Sequence, residues 1–410
     1  FDVSLADAYF AEITPPTAFS SSPSLPDQVT WAGSVSVKTV SDATGMGTYE
    51  ADKLEVGDTD RYDLTATGST WFAIESAAAA LVLAGCSGAD SGSSTDASDL
   101  RFVNVVKLTG VGWFDRMDEG IVAFASDSGI DATQTGADDA SPEKQVRLVE
   151  DLIAQGVDAI TVVPNSPESL EGVFQKARDA GIVVVTHEAA SQKNTDADIE
   201  AFDNTAYGET IMDNLAECMG NEGEYAAFVG QVTAESHMQW VAGALAKAAA
   251  DYPDVVRVED PLESKEDADI AYEQTKELMK KYPNLKGIQG SSAVDVAGIG
   301  RAMEELGLED SVCVMGTSIP SIAGKFLDSG AVDKIFFWDP ALAGQAMLKI
   351  AEKLVNGEEL SSGMDLGLDG YDNVQQSHYV PTTWYGSAWG IIDKDTTADY
   401  RFLRSVLTLS

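Results

Sequence analysis

A chain of 410 residues with 26 Lys and Arg against 67 Asp and Glu carries a formal charge of −41, and 44% of its residues are hydrophobic. The length accommodates roughly two or three domain-sized cores, and the ordinary charged and aromatic content argues against a disordered or fibrous chain. Charge this negative repels phosphate backbones and acidic lipid surfaces, which are held by clustered Lys and Arg, so no nucleic-acid partner is expected.

Residues 1–70 are rich in Ser, Thr, Pro and Asp and show no sustained helical or alternating period, so a disordered N-terminal region is expected there. The apolar stretch Trp71 to Gly88 follows, and its Leu83-Ala84-Gly85-Cys86 ending resembles a bacterial lipobox. Under that reading residues 1–85 are a leader with a lipoprotein signal, and Cys86 is the lipidated first residue of the mature protein. Residues 86–100, mostly Ser, Gly, Thr and Asp, then form a flexible tether. A basic region does not precede the apolar run and Glu75 interrupts it, so a chance Ala-rich helix is the alternative. No apolar run reaches the roughly 18 residues that a transmembrane helix needs.

From Arg101 onward, short β-branched runs alternate with amphipathic helical stretches. Strands are expected at 102–107, 130–135, 159–163, 182–186, 225–229, 255–258, 287–289, 312–315 and 334–338. Helices are expected between them, including 143–155 and 267–281. This alternation implies an α/β fold with doubly wound parallel sheets, and nine strands suggest two lobes rather than one. The polar segments 187–203 and 357–372 read as crossovers between the lobes. The first lobe is then assigned 101–201 plus 339–367, and the second 202–338 plus 368–410. Cys86, Cys218 and Cys313 are widely separated and form no C-x-x-C pair, so neither a disulfide framework nor a structural zinc site is expected.

In an open parallel sheet the ligand sits beyond the carboxyl ends of the strands. The residues there are Lys107, Trp113 and Phe114, then Asn165, then His187 and Glu188. In the second half they are Ser236, His237 and Trp240, then Ser291, Ala293 and Asp295, then Ser318, and finally Trp338 and Asp339. Aromatic faces stack on the C–H face of a sugar while polar groups bond its hydroxyls, so the set fits a small polyhydroxylated ligand. Each residue also has a structural alternative: the tryptophans can be core, Lys107 a surface lysine, and His187 and His237 hydrogen-bonded scaffold. No P-loop, no G-x-S-x-G, no H-E-x-x-H and no dinucleotide fingerprint is present. No catalytic residue, cofactor or metal is therefore assigned, and His187, Glu188 and His237 have no spacing that demands a metal.

Residues 101 to about 395 resemble the type I solute-binding proteins of bacterial ABC importers, and within them the autoinducer-2 and rhamnose-binding branch. The resembling stretches are VVKLTGVGWFDRMDEG (105–120), QVRLVEDLIAQGVDAITVVPNSPESL (145–170), AGIVVVTHEA (180–189), KGIQGSSAVDVAGIGRAMEE (286–305), VMGTSIPSIAGKFLDSGAV (314–332) and FFWDPALAGQAM (336–347). The resemblance implies two lobes joined by three crossovers, closing on one sugar without transforming it. It implies an extracytoplasmic monomer that serves an ABC permease in the membrane, to which the lipobox-like ending adds a lipid anchor at Cys86. Glu188 stands where relatives have an aspartate, Ser236 and His237 where autoinducer-2 binders carry Asp-Gln, and Ser291 where they carry Pro. Ala293 matches; Ser318 replaces an aspartate of ribose binders; Trp338-Asp339 keeps the branch's pair. These departures favour a pentose or a deoxyhexose such as rhamnose over autoinducer-2. A LacI-like regulator is the rival, and it lacks its basic module here because residues 1–100 hold only Lys38, Lys53 and Arg61.

Overall fold

The computed structural model describes residues 97–400, together with the backbone of six short strands nearer the N-terminus. Those strands are β1 (Val3–Leu5), β2 (Tyr9–Ile13), β3 (Val35–Thr39), β4 (Ala51–Val56), β5 (Tyr62–Ala66) and β6 (Phe72–Ile74). They pair as two three-stranded antiparallel sheets. Segments such as Val35-Ser-Val-Lys-Thr39 do alternate, but over five residues only, too few to register as a sustained period. The lipobox-like ending, Cys86 and the tether as far as residue 96 lie outside the described residues.

The body begins with β7 (Arg101–Val106), α1 (Gly112–Ser128), β8 (Asp131–Gly136), α2 (Pro142–Gln155), β9 (Ala159–Val162), α3 (Pro167–Asp179), β10 (Val183–Thr186) and β11 (Ala197–Glu200). Helix limits follow local chemistry. The Ser141 hydroxyl accepts the Lys144 N–H at the start of α2, Pro142 fills the first turn, and Gly156 closes the helix at φ 68. The second half contains α4 (Asn204–Met219), β12 (Gly223–Val229), α5 (Glu235–Asp251), β13 (Val255–Arg257), β14 (Leu262–Glu263), α6 (Ala268–Lys281), β15 (Leu285–Gly290) and α7 (Asp295–Leu306). It continues through β16 (Cys313–Thr317), α8 (Pro320–Ser329), β17 (Lys334–Phe337), α9 (Pro340–Val355), β18 (Gln375–Gln376), β19 (Thr383–Tyr385) and β20 (Gly390–Ile392).

Two sheets result. The first runs β18-β19-β11-β10-β9-β7-β8 and the second β13-β12-β15-β16-β17-β20, with β14 also pairing β12. All neighbours are parallel except the edge pairs β18/β19 and β17/β20. Parallel strands are covered by helices on both faces, which is why central strands such as β9 read as unbroken apolar runs. Helices close tightly where glycine permits: an added Cβ at Gly120 would overlap the Ala341 carbonyl between α1 and α9, and one at Gly208 the Trp240 carbonyl between α4 and α5.

Three expectations are corrected here. Residues 187–203 are not all crossover, because β11 lies inside them. Its Ala-Asp-Ile-Glu sequence reads as polar, yet all four residues are buried. Residues 368–410 do not all join the second sheet: β18 and β19 extend the first, and only β20 returns to the second. Finally, Cys218 at the end of α4 and Cys313 at the start of β16 form a disulfide with Cα atoms 6.1 Å apart. Their 95-residue separation in sequence concealed that α4 packs along β16.

The chain passes between the sheets near residues 201–203, 338–339 and 386–389. These passages run side by side. The Gly386 N–H bonds the Glu200 carbonyl and the Ala388 N–H bonds the Ala201 carbonyl, each at 2.9 Å. Phe202 and Trp338 pack edge to face, with ring centroids 5.1 Å apart.

Candidate functional site

The carboxyl ends of β7 and β10 in the first sheet meet those of β12 and β14 in the second, and the chemistry gathers there. Lys107, just past β7, places Nζ 2.6 Å from Glu188 Oε2. Glu188 follows β10 with φ 61, a left-handed conformation that a non-glycine residue holds at a cost and that is found disproportionately at functional sites. The Ser236 hydroxyl, from the first turn of α5, donates to the same Oε2 at 2.9 Å. One carboxylate therefore ties an amine of its own lobe to a hydroxyl of the other. Burial is the largest single influence and would lift the Glu188 carboxyl, but Lys107, His187 and His237 together outweigh it and hold the group down to about 2. Burial would likewise lower the Lys107 amine, and the surrounding carboxylates, Glu188 first, hold it above its usual range.

Aromatic rings form the floor. Trp338 stands edge-on to Trp113 at 4.7 Å, to Trp240 at 5.7 Å and to His187 at 5.9 Å. Tyr207 adds a ring 5.1 Å from Trp240, and its hydroxyl pairs with Thr317 Oγ1 at 3.1 Å. Two of the indole N–H groups are satisfied within the protein: Trp240 donates to Asn204 Oδ1 and Trp338 to His187 Nε2. The other nitrogen of His187 donates to the Ile199 carbonyl at 2.5 Å, so both ring edges are engaged within the protein and burial keeps the ring neutral. His237 is different. Its Nδ1 accepts the Gly230 N–H at 3.1 Å, which leaves the proton on Nε2, and burial together with Lys107 holds its pKa down to about 3.

The remaining sequence-derived residues fall into two groups. Ser291, Ala293, Asp295 and Ser318 form the second lobe's wall. Asp295 Oδ2 accepts the Ser291 and Ser292 N–H groups, while the Ser318 hydroxyl donates to the Ala293 carbonyl. Burial pushes the Asp295 carboxyl up to about 7. The Ser291 hydroxyl is buried with no partner among the described residues. Asn165, Phe114 and Asp339 are supports instead. Asn165 donates to the Lys107 carbonyl and accepts from Thr233 Oγ1 at its own carbonyl. The buried Phe114 receives Gln134 at its carbonyl. Asp339 caps α9 and takes a two-pronged contact from Arg116, so neither of its oxygens joins the cluster.

Sequence reasoning missed Glu266. It follows β14, whose two residues are too few to read as a strand, so no recognisable strand end marks its position. The same rule that found Ser236 would have reached it. A separate surface depression of about 700 Å³ surrounds the Cys218–Cys313 disulfide. It is lined by no aromatic residue and does not coincide with this cluster.

Residues 102–359 match the family described as the periplasmic binding protein domain. A xylitol-binding protein of Mycolicibacterium smegmatis is 26% identical over 297 residues, covering 70% of this chain and 81% of that protein. A solute-binding protein of an ABC transporter from Clostridium phytofermentas, solved with bound L-rhamnose, superposes with a TM-score of 0.69 at 19% identity, over 74% of this chain and 98% of that one. LsrB from Clostridium saccharobutylicum in complex with AI-2 does so at 0.68 and 18%, over 73% and 99%. At these identities the likeness to the two structures is one of fold. Because the matched segment is more than half of the chain, and because its two-lobed parallel-sheet body is the one described above, the protein belongs to the periplasmic binding protein domain family.

Proposed function

We propose that this protein captures one small uncharged sugar or sugar alcohol between its lobes and hands it, unchanged, to an ABC permease in the membrane. The observation that carries this reading is the interlobe network of Lys107, Glu188 and Ser236 above the rings of Trp113, Trp240 and Trp338. An amine, a carboxylate and a hydroxyl offer both donors and acceptors to ligand hydroxyls, and an aromatic floor offers a surface to the C–H face. The His237 Nε2–H adds a neutral donor. The set contains no nucleophile held by a general base, which supports binding without turnover. The xylitol, L-rhamnose and AI-2 named for the relatives make a pentose-derived polyol or a deoxyhexose the first candidates, with autoinducer-2 as the alternative. The same reading places the protein outside the cytoplasm as a monomer, with Cys86 carrying a lipid anchor.

Calorimetry of the full chain against pentoses, pentitols, L-rhamnose and autoinducer-2 tests the proposal. One site per chain and quantitative recovery of unaltered ligand are expected. A converted product, or no heat with any of these compounds, refutes it. Growth with labelled fatty acid tests the anchor: label is expected on the wild type and none on Cys86→Ser.

A further inference from the structure

The second lobe holds a carboxylate that the ligand reading has not yet used. Glu266 lies in a turn in which Lys265 and Glu266 both adopt φ 58, two consecutive left-handed residues without a glycine. Such a conformation persists only where surrounding contacts impose it. Three contacts do so here. The Lys265 N–H bonds the Gly230 carbonyl at 2.8 Å, the Asp267 N–H bonds the Ser264 carbonyl at 3.1 Å, and the Ser292 hydroxyl donates to Glu266 Oε2. The carboxylate is thereby laid over Gly230, where an added Cβ would overlap Oε1. Gly230 is also the residue whose N–H orients His237.

Oε1 of Glu266 accepts no hydrogen bond from any described residue. It shares the second lobe's wall with the Ser291 hydroxyl, which is 1% exposed and equally unpartnered. Leaving the buried Ser291 hydroxyl without a partner costs free energy unless a ligand supplies one, and the half-buried Glu266 offers its free oxygen beside it. Glu266 acts electrostatically on both Lys107 and Glu188. Glu188 and Glu266 therefore both face the single Lys107 amine, with burial lifting the Glu266 carboxyl and both histidines neutral, while Asp295 lies on the same wall with its carboxyl lifted to about 7 by burial.

We propose that Glu266 is a specificity-determining residue of the second lobe: Oε1 accepts a ligand hydroxyl, and the surplus carboxylate admits uncharged polyols while refusing sugar acids and sugar phosphates. This rests on the sugar-binding reading above. A carboxylate on the ligand would meet two fixed negative charges at short range, and repulsion built against a competitor is an effective source of discrimination.

The test is calorimetry on the full chain at pH 8, with xylitol and L-rhamnose as neutral probes and D-xylonate and L-rhamnonate as their acids. The wild type is expected to bind a neutral probe at least about a hundredfold more tightly than its acid. Glu266→Gln keeps the shape and the Ser292 contact but removes the charge. It is expected to weaken the neutral probe by about tenfold and to narrow the gap to the acid by a similar factor. Gly230→Ala, whose methyl displaces the Glu266 carboxylate, should reproduce this effect without touching its charge. Melting curves of both variants identify any loss of folding. If the wild type binds neither of these probes nor any other compound of the calorimetric panel above, the sugar reading falls and the Glu266 assignment with it; if another neutral sugar of that panel binds, it and its acid replace the probes. If the neutral probes bind but the acids bind equally well, or if folded Glu266→Gln discriminates as the wild type does, the Glu266 assignment alone is overturned.

Discussion

Replacing Glu188 by Gln should destabilise the folded chain by about 3 kcal/mol near neutral pH, and two independent routes lead to that figure. The first is linkage. The Glu188 carboxyl falls from an ordinary 4.5 to about 2 on folding. At about 1.4 kcal/mol for each tenfold change in proton affinity, the ionised form is favoured in the folded state by roughly 3 kcal/mol. The second is structural. Lys107 and Glu188 are both buried and 2.6 Å apart, and removing one partner of such a pair typically costs about 3 to 5 kcal/mol because the other charge is left uncompensated. Glu266 remains to offset part of that, which favours the lower end.

The pH dependence has a definite sign. A carboxyl whose folded pKa is depressed contributes its full stabilisation above the unfolded value of about 4.5 and loses it as pH falls towards about 2. The wild-type advantage over Glu188→Gln should therefore be constant from pH 8 to about 5 and shrink below that. His237 falls from 6.5 to about 3 on folding, so the unfolded chain takes up a proton first and stability declines below about pH 6.5. That decline is common to both proteins and largely cancels in the difference. Because Gln occupies the left-handed backbone at residue 188 as poorly as Glu does, backbone strain cancels as well. Urea unfolding followed by tryptophan fluorescence between pH 3 and 8 measures the difference. A difference below about 1 kcal/mol at pH 7, or one that does not change with pH, would show that the Lys107–Glu188 pair is not held as described.

Two further outcomes follow from groups outside the ligand wall. Cys218→Ser should lower the unfolding free energy by about 4 to 5 kcal/mol on the chain-entropy account, since the bond closes a loop of 95 residues; denaturant midpoints with and without reductant should converge in the variant and differ in the wild type. Asp198→Asn should stabilise the protein at pH 8 and be nearly neutral at pH 4: burial lifts the Asp198 and neighbouring Glu200 carboxyls, so the folded state retains protons that the unfolded chain releases above about 3.8, and stability falls with rising pH until asparagine removes that term. Melting temperatures across that pH range check this, and a variant that melts lower at both ends would show that the carboxyl is held as an ion.

The two-sheet body is legible in the sequence because parallel strands buried on both faces leave continuous β-branched runs, as in Ala159–Val162 and Val183–Thr186. The strands that escape reading are those without that signature. In β11, Asp198 and Glu200 are charged residues in a fully buried strand. They are tolerated because Thr186 Oγ1 donates to Asp198 and because burial lifts both carboxyls, so that they need not both be charged. β14, β18, β19 and β20 have two or three residues each, shorter than any period can reveal. The site divides in the same way. Lys107, Glu188, Ser236 and His237 follow recognisable strands and meet. Asp339 and Asn165 also follow strands, yet their side chains are taken by Arg116 and by the Lys107 carbonyl, a choice made by tertiary neighbours that no local pattern encodes.

Trp338 links the two halves of this picture. It stands in a passage between the sheets, so its backbone belongs to the hinge, while its ring touches Trp113 and His187 of the first lobe and Trp240 of the second. The same ring meets Phe202 from another passage. Packed interiors respond to displacement by switching between arrangements rather than deforming smoothly. A ligand that presses on this aromatic floor therefore acts on the segments whose dihedrals set the angle between the lobes. Direct interlobe contacts bias that angle towards closure, among them Ser236 to Glu188, Thr233 to the Asn165 carbonyl, Gln231 to the Ala140 carbonyl, and Glu235 receiving the Ser191 N–H and hydroxyl. The Glu235–Ser191 contact is exposed, whereas Thr233 reaches a residue that itself donates to the Lys107 carbonyl. On the proposed reading, a ligand that takes up Glu188 Oε2 exchanges the buried Ser236–Glu188 bond for those to its own hydroxyls. Affinity is then set by the surplus of new bonds over that one, and a ligand with too few hydroxyls to replace it gains little from closure.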